Sequence, residues 1–434
     1  MHMIAVFFVV FLLFAFLKVP VGFSILLGGL AGYAAGGLSF DVWPAALFAG
    51  LDQFPLLAIP AFFLAGDLMA SGGISEAIVN FINAIVGRLR GALGCVLVIT
   101  CALFGAITGS SVATVSAVGN ILKDPMLKAG YDKKYFTALI SAAGFLGTLI
   151  PPSVPGIMYA LVANQKVTDV WMSTVGPGIL LTTLYCIVNY FICGRKMPKI
   201  TEPFEIKSYG KGIGKTTPKA LVAFIMPAII FGGVYGGAFT ATEAGAVAVV
   251  YGILAGWVIY PLFFKMKPDD SLVHTVRKSA MSSLTIALLI CTATIVGRMV
   301  ALGGVTKTIT AFMMNITDSK IVFLLICNLL LILVGMFLET NTGILLFCPI
   351  LCPIAQAYGI DLVHFGAMLL LNLEIGLITP PFAANLFVAC KMTKLSIDEI
   401  LKDLIPFFLV CVPVLLITTF WEPFSLFIPN LLNG

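Results

Sequence analysis

The chain has 434 residues, of which 60% are hydrophobic and only 10% charged, with a formal net charge of +5. A soluble domain carries roughly a quarter of its residues as Asp, Glu, Lys and Arg, so composition excludes a water-covered surface and gives most of the exterior to lipid. The basic residues are spread through short loops, which argues against a nucleic-acid partner.

The opening stretch, Met1-His2-Met3-Ile4 running on to Leu17, has no basic leader and no small-residue cleavage site. It reads as a retained first span. Crossings of about 20 apolar residues are expected at about 3–18, 20–37, 54–72, 134–165, 170–194, 218–237, 240–263, 279–300, 361–390 and 405–430. Two further stretches, about 91–122 and 320–357, are apolar but interrupted at their centres by Gly, Ser, Thr and Asn. They are expected to enter and turn back as re-entrant helical hairpins. Short amphipathic stretches at about 38–52, 75–90, 264–278, 303–318 and 395–404 would lie along the interface. Trp43, Trp171, Trp257 and Trp421 fall near segment ends, where an indole suits the headgroup region. The ten Cys sit in apolar stretches without paired spacing, and the three His form no cluster, so small packing residues are the reading for Cys348 and Cys352.

Orientation follows from the basic residues. With the hairpins not crossing, one side collects Lys18, Arg88, Arg90, Lys123 to Lys134, Arg195 to Lys219, Lys265 to Lys278 and Lys391 to Lys402, which is 21 of the 25 Lys and Arg. Lys166, Arg298, Lys307 and Lys320 are left on the other. The rich side is then cytoplasmic and both termini periplasmic.

The two halves repeat each other. Gly66-Asp67…Gly72-Gly73 matches Gly297-Arg298…Gly303-Gly304, Gly105 matches Gly335, Gly130-Tyr131-Asp132 matches Gly359-Ile360-Asp361, and Gly147…Pro151-Pro152 matches Gly376…Pro380-Pro381, at offsets of 229 to 231. The first hairpin enters from the cytoplasm and the second from the periplasm, so the repeats are inverted, as in secondary transporters. The division is residues 1–197 as the first repeat (hairpin 91–122, broken helix 134–165), 198–217 as a cytoplasmic linker, and 218–434 as the second (hairpin 320–357, broken helix 361–390). The fold class is an all-α polytopic membrane protein.

Four constellations break these apolar runs: Gly105 to Thr114, Glu339-Thr340-Asn341-Thr342-Gly343, Gly147 to Pro155, and Gly376 to Asn385. A break at membrane depth leaves carbonyls free at one half-helix end and amides free at the next start. Carbonyl ends suit a hard cation and amide ends an anion. A small-residue packing motif is the competing reading for the hairpin centres, and a simple kink for the Pro pairs. Glu339, Glu374, Glu243, Asp67 and Arg298 are further suspects as charges in apolar surroundings.

The Gly-Ser-Ser hairpin, both double-proline breaks and the Asn-Thr-Gly tip, over essentially the whole chain, resemble the large membrane subunit of TRAP (tripartite ATP-independent periplasmic) transporters, with a leaning toward the sialic-acid branch. The resemblance implies an elevator-type transporter and Na+ coupling. It also implies uptake of a carboxylate, of the sialic-acid or C4-dicarboxylate class, across the bacterial inner membrane. A periplasmic substrate-binding protein and a separate small four-helix membrane subunit are the implied partners, this chain resembling the unfused form. Sodium sites are expected where each hairpin tip meets its double-proline break: Thr108, Ser110 and Ser111 with Gly147, Ile150 and Pro152, and Asn341 and Thr342 with Gly376, Thr379 and Pro381. Ser153 and Asn385 are the substrate candidates. Hairpins and broken helices are expected to move as one block against the remaining spans. An intramembrane enzyme and a passive channel are the alternatives. Neither a Ser/His dyad nor an HExxH metal set is expected from the sequence for the former.

Overall fold

Residues 2–87, 91–194, 206–381 and 383–433 are described by the structure, a computed structural model. Arg88, Arg90, Arg195, Phe382 and the first part of the 198–217 linker lie outside the described residues. All regular elements among the described residues are helical. In chain order they are α1 (His2–Phe16), α2 (Val21–Ala35), α3 (Trp43–Leu51), α4 (Ala58–Ser71), α5 (Ile74–Val86), α6 (Ala92–Thr108), α7 (Ser111–Lys128), α8 (Lys133–Gly144), α9 (Leu146–Leu149), α10 (Val154–Val162) and α11 (Val167–Asn189). The second half gives α12 (Ile206–Tyr235), α13 (Ala241–Ile253), α14 (Tyr260–Phe264), α15 (Leu272–Leu302), α16 (Val305–Ile316), α17 (Lys320–Phe337), α18 (Thr340–Ala357), α19 (Leu362–Gly376), α20 (Ala384–Thr393), α21 (Ile397–Phe420) and α22 (Glu422–Asn433).

Among the described residues, eight helices are long and apolar enough to cross a membrane, nine if the bent pair Lys133–Leu149 and Val154–Val162 counts as one span. Two of these eight, α17 and α18, are the arms of the second hairpin, and the expected spans at 3–18, 20–37 and 361–390 hold shorter apolar helices. The helices at 3–18 and 20–37 have 15 residues each, about 22 Å at 1.5 Å per residue, because the apolar runs continue past the helix ends beside Pro20 and at Gly36. Three boundaries also shift. The 264–278 stretch is no interfacial arm, since α15 starts at Leu272 behind the cap Ser271, whose hydroxyl accepts from His274 N at 3.2 Å. The 395–404 stretch is the head of α21, started by a capping box in which the Ser396 N–H donates to Glu399 at 2.8 Å. The 405–430 span accordingly ends at Phe420, and α22 follows separately. The polar linker is helical from Ile206, with Thr217 bonding back to the Ile213 carbonyl at 2.7 Å.

Both interrupted stretches turn back on themselves. In the first, α6 and α7 pack together, and Gly94 near the base of α6 donates its N–H to the hydroxyl of Tyr131, just past α7, at 3.1 Å. In the second, Tyr358, just past α18, stacks on Phe323 near the base of α17 with ring centroids 4.6 Å apart, and its hydroxyl donates to Thr317 O at 2.7 Å. Each hairpin leads into a helix capped by an Asp: Asp132 accepts from Lys134 N at 2.7 Å, and Asp361 from Val363 N at 2.7 Å.

Two sets of helices can be followed through the packing, and they also touch each other where α4 and α5 lie on α6 and α15 lies on α18. One holds both hairpins and both broken helices: α6 lies on α7, α8 and α9, α17 on α19, α7 and α8 on α20, and α10 on α18. To this group α11 and α21 also belong, because α11 packs on α19 and α6, and α21 on α8 and α19. In the other group α15 lies across α2, α3 and α4, α13 packs on α4, and α12 on α5. Some buried polar side chains inside the first group bond to one another or to backbone. Asn189 donates to Gly91 O at 2.8 Å and accepts from the Tyr135 hydroxyl at 3.1 Å, and Asn372 donates to Asn328 Oδ1 at 2.7 Å. Large apolar side chains such as Val9, Leu262, Leu329 and Leu409 face outward, as a lipid exterior requires.

Candidate functional site

Each break has a local cause. α6 ends at Gly109, whose φ of +60° only glycine adopts at little cost, and whose N–H closes on Gly105 O at 2.7 Å. Ser110 is extended and caps α7, its hydroxyl accepting from Ala113 N at 3.4 Å. The second tip uses no glycine. Leu338 and Glu339 are both extended, and Asn341 Nδ2 donates to Glu339 Oε1 at 2.7 Å. The two double-proline breaks both contain a cis peptide, Pro151-Pro152 and Pro380-Pro381.

Tips and breaks meet through glycine. A Cβ on Gly105 would collide with the Gly147 backbone, and one on Gly376 with the backbone of Gly335. The residues matched between the halves thus touch as two equivalent pairs, backbone to backbone. At the first tip a Cβ on Gly109 would stand 3.5 Å from Pro152 O.

The first cation set is brought together in part. Thr108 and Ser110 flank Gly109, which lies beside Pro152, with the Thr108 and Thr114 hydroxyls 3.2 Å apart and Thr114 donating to Ser110 O at 2.8 Å, while the Thr108 backbone lies against Gly66 of α4. Ser111 instead reaches the other half, donating to Asn385 Oδ1 at 2.9 Å. Ile150 is extended immediately before the prolines. In the second set, Asn341 and Thr342 are buried in the first turn of α18, and Gly376 lies against α17. Thr379 has its hydroxyl bonded to Ile375 O at 2.8 Å, and Pro381 is exposed. The substrate candidates are occupied by protein partners. Ser153 caps α10 through Gly156 N at 3.1 Å and its carbonyl accepts from Trp171 Nε1 at 3.0 Å, while Asn385 bonds Ser111 and Ser141 O. Neither lines a cavity that touches the tips.

Both tips and both breaks open onto one cavity of about 50 Å³, lined by Ser110 and Ser111 of the first tip, Thr148 of the first break, Thr340 and Asn341 of the second tip, and Glu374 before the second break. Glu339 stands at its exposed margin. Thr340 donates to Glu374 Oε1 at 3.0 Å. Phe63, Ser110 and Val112 separate this cavity from a larger one of about 460 Å³, which also meets Asp67, Asp269, Asp270 and Lys278. Lys278 pairs with Asp67 at 3.1 Å. Burial, and then the nearby Glu76 and Asp270, raise the Asp269 carboxyl above its ordinary value. A third cavity, about 350 Å³, runs between α15 and the pair α10 and α18, with Arg298 in its wall.

Among the charged suspects, Glu374 is buried at the site, Asp67 borders the cavity beside it, and Arg298 borders the third cavity. Glu243 is corrected: it closes an exposed capping box with Thr240. Reasoning from sequence missed Thr340, Thr148 and Phe63 as lining residues. The first two stand inside the constellations already singled out, whereas nothing in the sequence marks Phe63, which is one of many aromatic residues in apolar runs.

Two hairpins and two broken helices, closing on a buried polar cavity inside an apolar helical body, define a polytopic membrane protein of the secondary-transporter class. The chain belongs to the family of the DctM component of the tripartite ATP-independent periplasmic transporters, which matches residues 8–424. This places it as a large TRAP membrane subunit, multi-pass in the bacterial inner membrane. It is 33% identical over 426 residues to the sialic acid TRAP transporter large permease protein SiaM of Vibrio cholerae, covering 96% of each chain. It is 34% identical to the C4-dicarboxylate TRAP transporter large permease protein DctM of Pseudomonas aeruginosa, covering 89% of each. It is also 34% identical to the isethionate TRAP transporter permease protein DctMQ of Oleidesulfovibrio alaskensis, where the match takes in 96% of this chain but 65% of that protein. Among solved structures, the YdaH transporter of Alcanivorax borkumensis has a TM-score of 0.57 at 15% identity, covering 89% of this chain and 88% of that one, a likeness of fold alone.

Proposed function

We propose that this chain carries out Na+-coupled uptake of an organic carboxylate across the inner membrane, working with a periplasmic substrate-binding protein and a small four-helix membrane subunit. The observation that carries the reading is the convergence of four helix breaks on one cavity, since coupling needs ion and substrate to bias the same conformational change. Relatives named for sialic acid, C4-dicarboxylate and isethionate differ in body but share an anionic group, which supports an organic anion without choosing one. The 50 Å³ cavity has room for ions and water only. The substrate body therefore belongs in the 460 Å³ cavity, with its carboxylate against the first amides of α7. Na+ belongs at the carbonyl ends, where oxygen ligands suit a hard cation.

Inverted repeats, periplasmic termini and an elevator motion are parts of the same reading. The matched Gly105–Gly147 and Gly335–Gly376 contacts support the repeat. The moving block is larger than the sequence suggested, taking in α11 and α21 with the hairpins and broken helices, because both pack on the broken helices. In a background freed of native cysteines, a pair at Thr137 and Thr393, whose hydroxyls lie 3.0 Å apart inside the block, is expected to crosslink equally with and without Na+ and substrate. A pair at Ala293 and Leu345, which face the crevice between α15 and α18, is expected to change its yield. Equal change in both pairs would remove the elevator.

A further inference from the structure

Arg298 stands in the wall of the 350 Å³ cavity between α15 and the pair α10 and α18, is exposed, and forms no ion pair among the described residues. No other charged residue shares that lining among the described residues, and it is apolar apart from Gln53 and Thr294. A lone cation within a membrane-spanning helix is costly and marks a pathway by default. Asp67, the residue matched to Arg298 between the halves, stands in the wall of the 460 Å³ cavity, where α4 meets α7, the second arm of the first hairpin. The Arg298 cavity likewise borders α18, the second arm of the second hairpin. The two cavities are therefore counterparts in the repeat, with opposite charges at the matched position. Asp67 is joined by Asp269 and Asp270, and Lys278 is the single cation of that lining among the described residues. Lys278 and Arg298 are about 20 residues apart on α15, roughly 30 Å of helix rise, which is the thickness of the hydrocarbon core. The two cavities thus lie toward opposite faces of the membrane. The 50 Å³ cavity connects them, since α10 and α18 start there with Pro155 and Thr340 and reach the Arg298 cavity with Met158 and Leu345.

We propose that Arg298 is the entry-side contact for the anionic group of the substrate, and that Asp67 sets the opposite charge in the matching exit crevice so that the same group is released there. The proposal deepens the transport reading and rests on it for direction, the Arg298 side being periplasmic by the distribution of basic residues. A guanidinium presents a planar fork of N–H donors that suits a carboxylate. Apolar walls around a single charge focus its field and concentrate ions of the other sign. At the exit, Asp67 already engages Lys278 at 3.1 Å, so the balance of that lining is negative. There the amides of α7 hold the carboxylate against that charge, which weakens the hold and favours release.

The test reads the charge of each crevice with thiol reagents. In a background freed of native cysteines, Thr294→Cys puts a thiol one turn before Arg298, and Ser282→Cys puts one a turn after Lys278. Each is modified in detergent by an anionic and by a cationic methanethiosulfonate. The anionic-to-cationic rate ratio at Thr294→Cys is expected to fall about tenfold when Arg298→Gln is added, and the ratio at Ser282→Cys to rise when Asp67→Asn is added. An unmoved ratio at either thiol overturns the proposal. Uptake by the whole complex is measured beside it, with sialic acid, a C4-dicarboxylate and isethionate offered in turn. Below saturation, Arg298→Gln is expected to lower uptake of the carried anion about tenfold, and Arg298→Lys to keep most of it. A ratio that falls while uptake stays at the wild-type level makes Arg298 a side chain reaching only for headgroups, and overturns the contact. Uptake that ignores Na+ yet drops in Arg298→Gln ends the coupling reading and leaves this contact in place.

Discussion

Gly105→Ala and Gly376→Ala are each expected to lower the thermal unfolding midpoint of the purified chain and to abolish uptake by the complex. At both positions the added Cβ meets backbone, Gly147 in one case and Gly335 in the other, so no side chain can swing aside. Overpacking of a dense interior costs about 1–3 kcal/mol, and more where backbone must move. The functional loss is expected to exceed the stability loss, because the only relief is to part the hairpin arm from its broken helix. That movement opens the place where tip carbonyls and break carbonyls converge. Gly212→Ala serves as the control, since a Cβ there meets nothing within 4 Å. Wild-type stability and uptake in Gly105→Ala would show that the close approach is not needed.

Ser110→Ala and Asn341→Ala are each expected to raise the Na+ concentration for half-maximal uptake by roughly tenfold, the equivalent of one lost oxygen ligand at about 1.4 kcal/mol. Ser110 stands at the wall between the two cavities, and Asn341, whose Oδ1 is unpartnered, lines the inner one. The cost in folding should be smaller. Ser110 loses a long capping bond of 3.4 Å, and a lost helix cap costs about 0.5–2 kcal/mol. Asn341 loses only its side-chain bond to Glu339, at the margin of the cavity. Measuring uptake against Na+ concentration, beside thermal unfolding in choline chloride, separates the two effects. Wild-type activation curves in both variants would dismiss these oxygens as ligands.

Much of the architecture was legible because lipid forces it into the sequence. Each break needs Gly, Pro or a capping hydroxyl, and such residues stand out in an apolar run, so Gly109-Ser110 and both Pro pairs located the tips and breaks directly. Matching glycines also fixed which arm meets which helix, for Gly105 and Gly147 are required by contact and not by local conformation. Where helices end was harder to read. Hydropathy cannot tell that α21 carries its charged head within the span while α1 and α2 stop short, since those limits lie in Ser396, Pro20 and Gly36. The site was half legible for a related reason. Ser153 and Asn385 look like free polar groups in sequence, yet each is spent on protein partners, one as a helix cap and the other bridging the first hairpin to the second broken helix. Glu374 was visible as a charge in an apolar run, but only folding shows that one of its oxygens is left without a partner.

The account turns on coupling, and uptake by the reconstituted complex tests it most directly. Proteoliposomes holding this chain with its small subunit, supplied with loaded binding protein, should be given an inward Na+ gradient and offered sialic acid, a C4-dicarboxylate and isethionate in turn. One of these, or another organic anion, is expected to accumulate above its external concentration only under the Na+ gradient, with no uptake when either partner is left out. Equilibration without accumulation, or equal uptake when choline replaces Na+, would contradict the account.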